Sequence, residues 1–337
     1  MHRYSCFTLL YGMALFGTGC LVDMHDTIDE ATPIDTVALQ ARVSNDTILN
    51  GTEANGAALN GWRLNGWRLN GWRLNGLTLG NTSFTATKES DGSTLSGLDL
   101  LGSELEGELE GGGIVPLRIA AIIPSSTLGL NYYTVEYLNN GTWTNVCWNG
   151  AQAIPLSGQW DETSGDHLSD SSRFTFACRG AALAKCAEWG YQHFKTRTEC
   201  KGGTCKEHAL EDFHQACTRM VRADYCGDGV AHTENGTSIN IWDALGIQTQ
   251  DLGTGMSFEA EWTTDGAACV KHTRWANSVS DNPSRDYILA YCPERWVGPS
   301  STSCGGTTST FHTASGFDIP LAVRRLLRNE SYQNYHY

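Results

Sequence analysis

From residue 113 onward the apolar residues fall into short runs broken by glycine, asparagine and proline, a texture of strands and turns. "GGGIVPLRIAAII" reads as one strand. "YYTVEYL" and "WTNVCW" read as two more, joined in a hairpin by the Asn140-Gly141 turn. "RFTFAC", "FEAEW", "ACVKHTRW" and "YILAYC" complete the strand set. Three stretches keep a helical beat instead. Ala181–Gly190 reads as a short helix closed by Gly190. Glu207–Tyr225 is the longest, because Leu210, Phe213, Cys217, Met220, Val221 and Tyr225 fall on one stripe. "IPLAVRRLLRN" reads as a late helix with Pro320 in its first turn. Strands and helices interleaved in this way predict a mixed α+β domain over residues 112–337.

Ahead of it the pattern changes. In "ALNGWRLNGWRLNGWRLNGLTLG" a unit of Leu-Asn-Gly-Trp-Arg recurs, with Leu at 49, 59, 64, 69, 74 and 79. The beat returns at Leu95, Leu100 and Leu105. A step of five residues turns a helix by about 140°, which scatters the leucines around it. In a regular strand an odd step flips Leu to the opposite face at each repeat. Asn-Gly accepts positive φ, so an equal bend at every unit suits the text better. This resembles a divergent pentapeptide-repeat coil, which implies a short Gly-rich β-solenoid-like module over residues 48–111. A Gly-rich stalk is the other open reading. Trp62, Trp67 and Trp72 with Arg63, Arg68 and Arg73 form a stripe. Either each Trp packs on the next unit under its Arg, or the stripe grips a ligand such as an envelope glycan. Glu104, Glu106, Glu108 and Glu110 form a facing row that could blunt a sheet edge or attract the Arg stripe.

The first residues read as an export signal. His2 and Arg3 precede the apolar run Phe7–Phe16, and Gly17 and Gly19 suit cleavage before Cys20. The arrangement resembles a bacterial lipoprotein signal, which implies a signal peptide over 1–19 and a lipid on Cys20. Residues 20–47 are acidic, lack a sustained period and contain Pro33, so they read as a flexible tether.

A net charge of -14 excludes the basic footprint that a nucleic-acid partner requires. Twelve cysteines are present. With Cys6 lost in the signal and Cys20 lipidated, Cys147, Cys178, Cys186, Cys200, Cys205, Cys217, Cys226, Cys269, Cys292 and Cys304 remain for five disulfides in an oxidising compartment. Cys200–Cys205 and Cys292–Cys304 are the simplest pairings by proximity. No C-x-x-C is present, so zinc is not expected.

The most distinctive text is "HQACTRMVRADYCGDGVAHTENGTSINIWD". With "FTFACRGAALAKCAEWGY", "FEAEWTTDGAACVKHTR" and "YCPERW" it resembles the ADYC-domain family over roughly residues 95–300. That resemblance implies an exported bacterial protein of a kind common in myxobacteria, and it implies no activity. His214, Asp224, Asp228, His232 and His272 could supply acid–base groups. Neither a G-x-S-x-G elbow nor an H-E-x-x-H helix accompanies them. Asp224, Asp228, Asn235, Asn240 and Asp243 are oxygen ligands in a turn-rich stretch, which makes calcium the cofactor to consider, although the D-x-D-x-D-G spacing is absent. The sequence thus predicts an exported, lipid-anchored envelope protein with a binding or structural role at the cell surface. Its partners would be the membrane and an envelope glycan or surface protein. An exported hydrolase-like enzyme with its site at the RADYCGDG…HT turn is the alternative.

Overall fold

A computed structural model describes the strand pieces Arg42–Ser44, Glu53–Ala54, Ala57–Ala58 and Arg63–Leu69, then residues 72–88, 91–108, 114–304 and 325–335, with short gaps at 127, 162, 170–172, 202–203, 277–280 and 302–303. Cys20, the signal peptide and most of the tether lie outside the described residues.

Two antiparallel sheets organise the described chain. The larger has ten strands. Its order runs Phe174–Cys178, Ala153–Ser157, Leu130–Asn139, Ile114–Ser125, Glu104–Glu108, Arg63–Leu69, Trp72–Gly80, Ser83–Lys88 and Thr94–Ser96, with Thr142–Asn145 hairpinned onto Leu130–Asn139. The hairpin turn is the expected one: Asn140 and Gly141 both take positive φ, at 49° and 81°. Phe84, Leu105, Leu117, Ile119, Tyr133, Val135, Phe174 and Phe176 form the buried face. Phe84 meets Tyr133, Phe174 and Phe176 edge-on at 5.0–6.0 Å.

The repeat block enters this sheet by a device that its period conceals. Asn65 lies opposite Glu106, but Arg68 lies opposite Glu104, so one residue is extra on the repeat strand. The same occurs where Asn75 faces Thr87 and Thr78 faces Thr85. Each irregularity begins at an Asn-Gly. A β-bulge there absorbs one residue of the five, so each step counts as four against the neighbouring strand. The leucine positions therefore return to the same phase of the pleat: Leu64 faces Gly107, Leu74 faces Lys88 and Leu79 faces Phe84. Leu79 packs on the core. Arg63–Leu69 and Trp72–Gly80 are thus bulged antiparallel strands.

The second sheet carries the family-like text. Its order is Arg42–Ser44, Ser238–Asp243, Leu327–Ser331, Ser257–Thr263 and Gly266–Val270. Residues 42–44, inside the expected tether, are its edge strand. The sequence pattern predicts helix at residues 327–329, which are instead part of its central strand. Leu326, Leu327, Arg328, Asn329 and Ser331 are buried there. Two neighbouring strands hydrogen-bond this segment, which outweighs the helix propensity of leucine and arginine.

Helix α2 (Glu211–Arg222) packs over this sheet around Phe213, Met220, Val221 and Trp262, and helix α1 (Ala182–Glu188) packs on α2 and on the Phe174–Cys178 strand of the larger sheet. The sequence reading starts α2 four residues early, because Thr204–Ala209 pairs with Thr196–Lys201 as a hairpin. "YILAYC" is not a strand. Its first five residues lie in helix α3 (Pro283–Tyr291), started by Asn282, whose side chain accepts from the Arg285 N–H, and by Pro283 in the first turn, and Cys292 caps the end.

Five disulfides staple the fold: Cys147–Cys178, Cys186–Cys217, Cys200–Cys205, Cys226–Cys292 and Cys269–Cys304. The Cys200–Cys205 expectation holds. Cys292 bonds Cys226 and leaves Cys304 to Cys269, because α3 is tied to the turn that follows α2 and proximity along the chain does not set proximity in space. Among the described residues no helix is long and apolar enough to cross a membrane.

Candidate functional site

Helix α2 ends at the Ala-Asp-Tyr-Cys tetrapeptide, and each of the four residues has a structural task. Ala223 is the C-terminal cap in the left-handed region, with φ of 52° and its N–H reaching back to the Arg219 and Met220 carbonyls. Glycine usually fills such a cap. Here the alanine methyl is fully buried. Asp224 is the hub of the next turn. Its Oδ1 accepts from the Gly227 N–H at 2.9 Å and the Asp228 N–H at 3.1 Å. Its Oδ2 accepts from the Gly229 N–H at 3.0 Å and from Arg219 Nη1 at 2.6 Å. Burial pushes this carboxyl upward while Arg219 pulls it back.

Gly227 and Gly229 let the loop close. Both have positive φ, and a Cβ at either would sit under 2 Å from the Asp265 or Thr163 carbonyl oxygen. Arg219, itself buried, also donates to the Thr264 carbonyl and pairs with Asp166.

Tyr225 points the other way, into the core. Its hydroxyl donates to Glu259 Oε1 at 2.9 Å and accepts from the Arg274 N–H at 3.3 Å. Glu259 and Arg274 are a fully buried ion pair at 2.7 Å. Burial alone would raise the Glu259 carboxyl, but Arg274 wins and holds it below its ordinary value. Arg274 Nη2 also donates to the Met220 carbonyl, tying down the last turn of α2. From the tail strand, Asn329 donates to Glu259 Oε2 and accepts from Trp262 Nε1, each at 2.8 Å. Cys226 then binds the turn to α3 through Cys292.

The five acid–base candidates therefore part company. His214 is buried, and its Nε2 donates to the Leu183 carbonyl at 3.0 Å. The two ring nitrogens of His272 lie 3.1 and 3.2 Å from the Ser257 and Thr273 carbonyl oxygens. Asp224 is wholly engaged in the turn. Only Asp228 and His232 reach an open surface. They meet at Tyr287 of α3, whose hydroxyl donates to Asp228 Oδ2 at 2.8 Å and whose ring lies 4.6 Å from that of His232. The Asp228 hydrogen bond pushes the Tyr287 hydroxyl up to about 12. Burial lowers His232 to about 4, so its ring is neutral at neutral pH. His232 and Tyr287 line a cleft of about 340 Å³, with Trp275 on another part of its wall.

Of the oxygen ligands considered for calcium, Asp224, Asp228, Asn240 and Asp243 are engaged with donors. Asp243 accepts from the Leu245, Ile247 and Gln248 N–H groups and from the Tyr191 hydroxyl. Asn240 Oδ1 accepts from the Asp251 N–H. Among the described residues, Glu261, Cys269 and Cys304 are close enough to share an ion, but the cysteines are disulfide-bonded and Glu261 is paired with Arg325 and Arg328.

Trp62 lies outside the described residues. The backbone register sets Arg63 opposite Glu108, and Arg68 between Glu104 and Arg73, so the Glu row does adjoin the Arg stripe. Trp67 faces Leu74 and Trp72 faces Leu69 across the same strand pair.

Sequence reading missed a second cluster. The rings of His167, His193 and His214 gather around Trp160 at 4.4–5.7 Å. Burial, reinforced by His167, lowers His193 to about 3, and burial lowers His214 well below its ordinary value. These histidines come from a short strand, a turn and a helix, so no spacing announces them.

No curated protein and no solved structure matches the chain. The ADYC domain matches residues 97–276, more than half of the chain, and that span holds the capped end of α2, the Asp224 turn and the Tyr225–Glu259–Arg274 core. This chain belongs to the ADYC domain family.

Proposed function

We propose that this is an exported cell-envelope protein, held to the membrane by lipid on Cys20, whose ADYC domain is a binding module rather than a catalyst. Cysteine parity carries the first half. The ten cysteines after residue 146 are all consumed in five disulfides, which leaves only Cys6, inside the signal, and Cys20. Disulfides at this density suit an oxidising compartment.

The use of Asp224, His214 and His272 in turns and backbone contacts supports the second half. An exported enzyme is the runner-up, favoured by His232 and Tyr287 at the cleft, with Asp228 hydrogen-bonded to Tyr287. Hydrolysis of an ester, glycoside or peptide panel that disappears in His232→Asn would establish the enzyme.

Fractionation tests the anchor. The wild-type chain is expected in the membrane pellet and Cys20→Ser in the soluble exported fraction. Unchanged partitioning of Cys20→Ser rules out the lipid.

A further inference from the structure

We infer that the cleft between the 231–234 turn, Trp275 and helix α3 binds a neutral oligosaccharide. The inference rests on the binding-module reading and gives that module its ligand class.

The cleft has two pinned aromatic walls. Tyr287 is fixed at its polar edge by Asp228 Oδ2, and Asp228 is itself held by the Val230 N–H, which Oδ1 accepts at 3.1 Å. Trp275 is fixed by its Nε1, which donates to Thr237 Oγ1 at 3.1 Å. Rings held by their edges lose little freedom when a flat ligand stacks on their faces. The C–H face of a pyranose is such a ligand, and its hydroxyls need polar partners close by. Thr233, Glu234 and Ser284 line the same cleft. A volume of about 340 Å³ is at the small end of ligand sites, which begin near ~300 Å³.

The aromatic row continues outside. The Tyr287 ring lies 4.4 Å from that of Tyr291, tilted at 34° to it, and Tyr291 is 70% exposed on α3. Leu289 on the same helix is also exposed. One sugar ring in the cleft therefore has a path to a second on Tyr291, which favours a chain over a single sugar.

Charge selects against acidic ligands. Among the described residues Glu234 is the one lining carboxylate, His232 is neutral, and the protein carries -14 overall. A cationic head is the competing ligand, because aromatic rings and a carboxylate suit it too. It would depend on the charge of Glu234, whereas a sugar needs only a hydrogen-bonding group there.

The test is calorimetric titration of the full chain in detergent with cellohexaose, maltohexaose, chitohexaose and tetramethylammonium, with tryptophan fluorescence followed in parallel. At least one hexaose is expected to bind. Tyr287→Ala should weaken it roughly tenfold or more. Tyr291→Ala should weaken the hexaose and leave the matching monosaccharide unaffected, and Glu234→Gln should retain most of the affinity. Should Tyr287→Ala fold poorly, the exposed Tyr291 variant decides the matter. The inference is overturned if no hexaose binds at about 10 mM, if both tyrosine variants bind like wild type, or if tetramethylammonium alone binds and Glu234→Gln abolishes it. A negative titration with normal membrane retention removes the sugar and keeps the envelope reading. Positive titration with no release of Cys20→Ser does the reverse.

Discussion

Removing one oxygen from Tyr225 separates a structural role for the ADYC tetrapeptide from a chemical one. Tyr225→Phe keeps the ring, which stacks on Trp262 at 5.4 Å, and deletes only the hydroxyl. Glu259 loses one donor at 2.9 Å but retains Arg274 Nε and Nη2 and Asn329 Nδ2. The Arg274 N–H loses its 3.3 Å acceptor. A hydrogen bond to a charged group contributes ~1.5–3 kcal/mol, and a buried donor left without its partner costs more. The expected loss is therefore about 2–4 kcal/mol, a large part of the ~5–15 kcal/mol that holds a domain folded. Urea unfolding at neutral pH with disulfides intact, followed by both fluorescence and circular dichroism, measures it. A change below about 0.5 kcal/mol would refute the buried network as a source of stability.

Three further outcomes follow from the same structure. Asn329→Leu should cost about 3 kcal/mol or more in urea unfolding, because it leaves Trp262 Nε1 without its acceptor and Glu259 short of a donor. A wild-type-like midpoint would show that the tail strand does not seal this core. Cys226→Ser with Cys292→Ser opens a 66-residue separation and should cost about 4 kcal/mol, read as a lower urea midpoint. Acid should destabilise the protein. Burial holds His193 near 3 and His232 near 4, and His214 is also lowered, so the unfolded chain takes up protons first as pH falls below about 6.5. Each of these histidines then removes ~1.4 kcal/mol per pH unit until its folded value is reached, and their contribution is fully present above that window. Stability that is flat between pH 6.5 and 4.5 would contradict their burial as neutral rings.

The local text reveals much of the domain. The Asn140-Gly141 hairpin, the Phe174–Cys178 strand, α1 and the body of α2 all follow from turn chemistry and period. What escapes sequence reading depends on distant partners. The bulges at Asn65-Gly66 and Asn75-Gly76 are visible only once a neighbouring strand counts residues against them. The tail reads as helix because nothing local says that two strands enclose it. Cys292 reads toward Cys304 because its partner lies in the turn after α2, 66 residues away in sequence. Asn282-Pro283 is the available signal for α3, and the short apolar run of "YILAYC" masks it by reading as a strand. At the site, the tetrapeptide is conspicuous as text. Its side chains are used inward, and the accessible surface falls to His232, Trp275 and Tyr287, which lie far apart in sequence.

The central claim is that Ala223–Cys226 builds the domain while the adjoining cleft does the recognising. Pairing two variants in one experiment tests it most directly, with unfolding free energy and hexaose affinity measured for Tyr225→Phe and Tyr287→Ala. The account predicts that Tyr225→Phe loses about 2–4 kcal/mol of stability and binds like wild type once folded. Tyr287→Ala should keep its stability within about 1 kcal/mol and bind roughly tenfold more weakly. A Tyr225→Phe protein of unchanged stability that no longer binds would place recognition in the tetrapeptide itself and contradict the account.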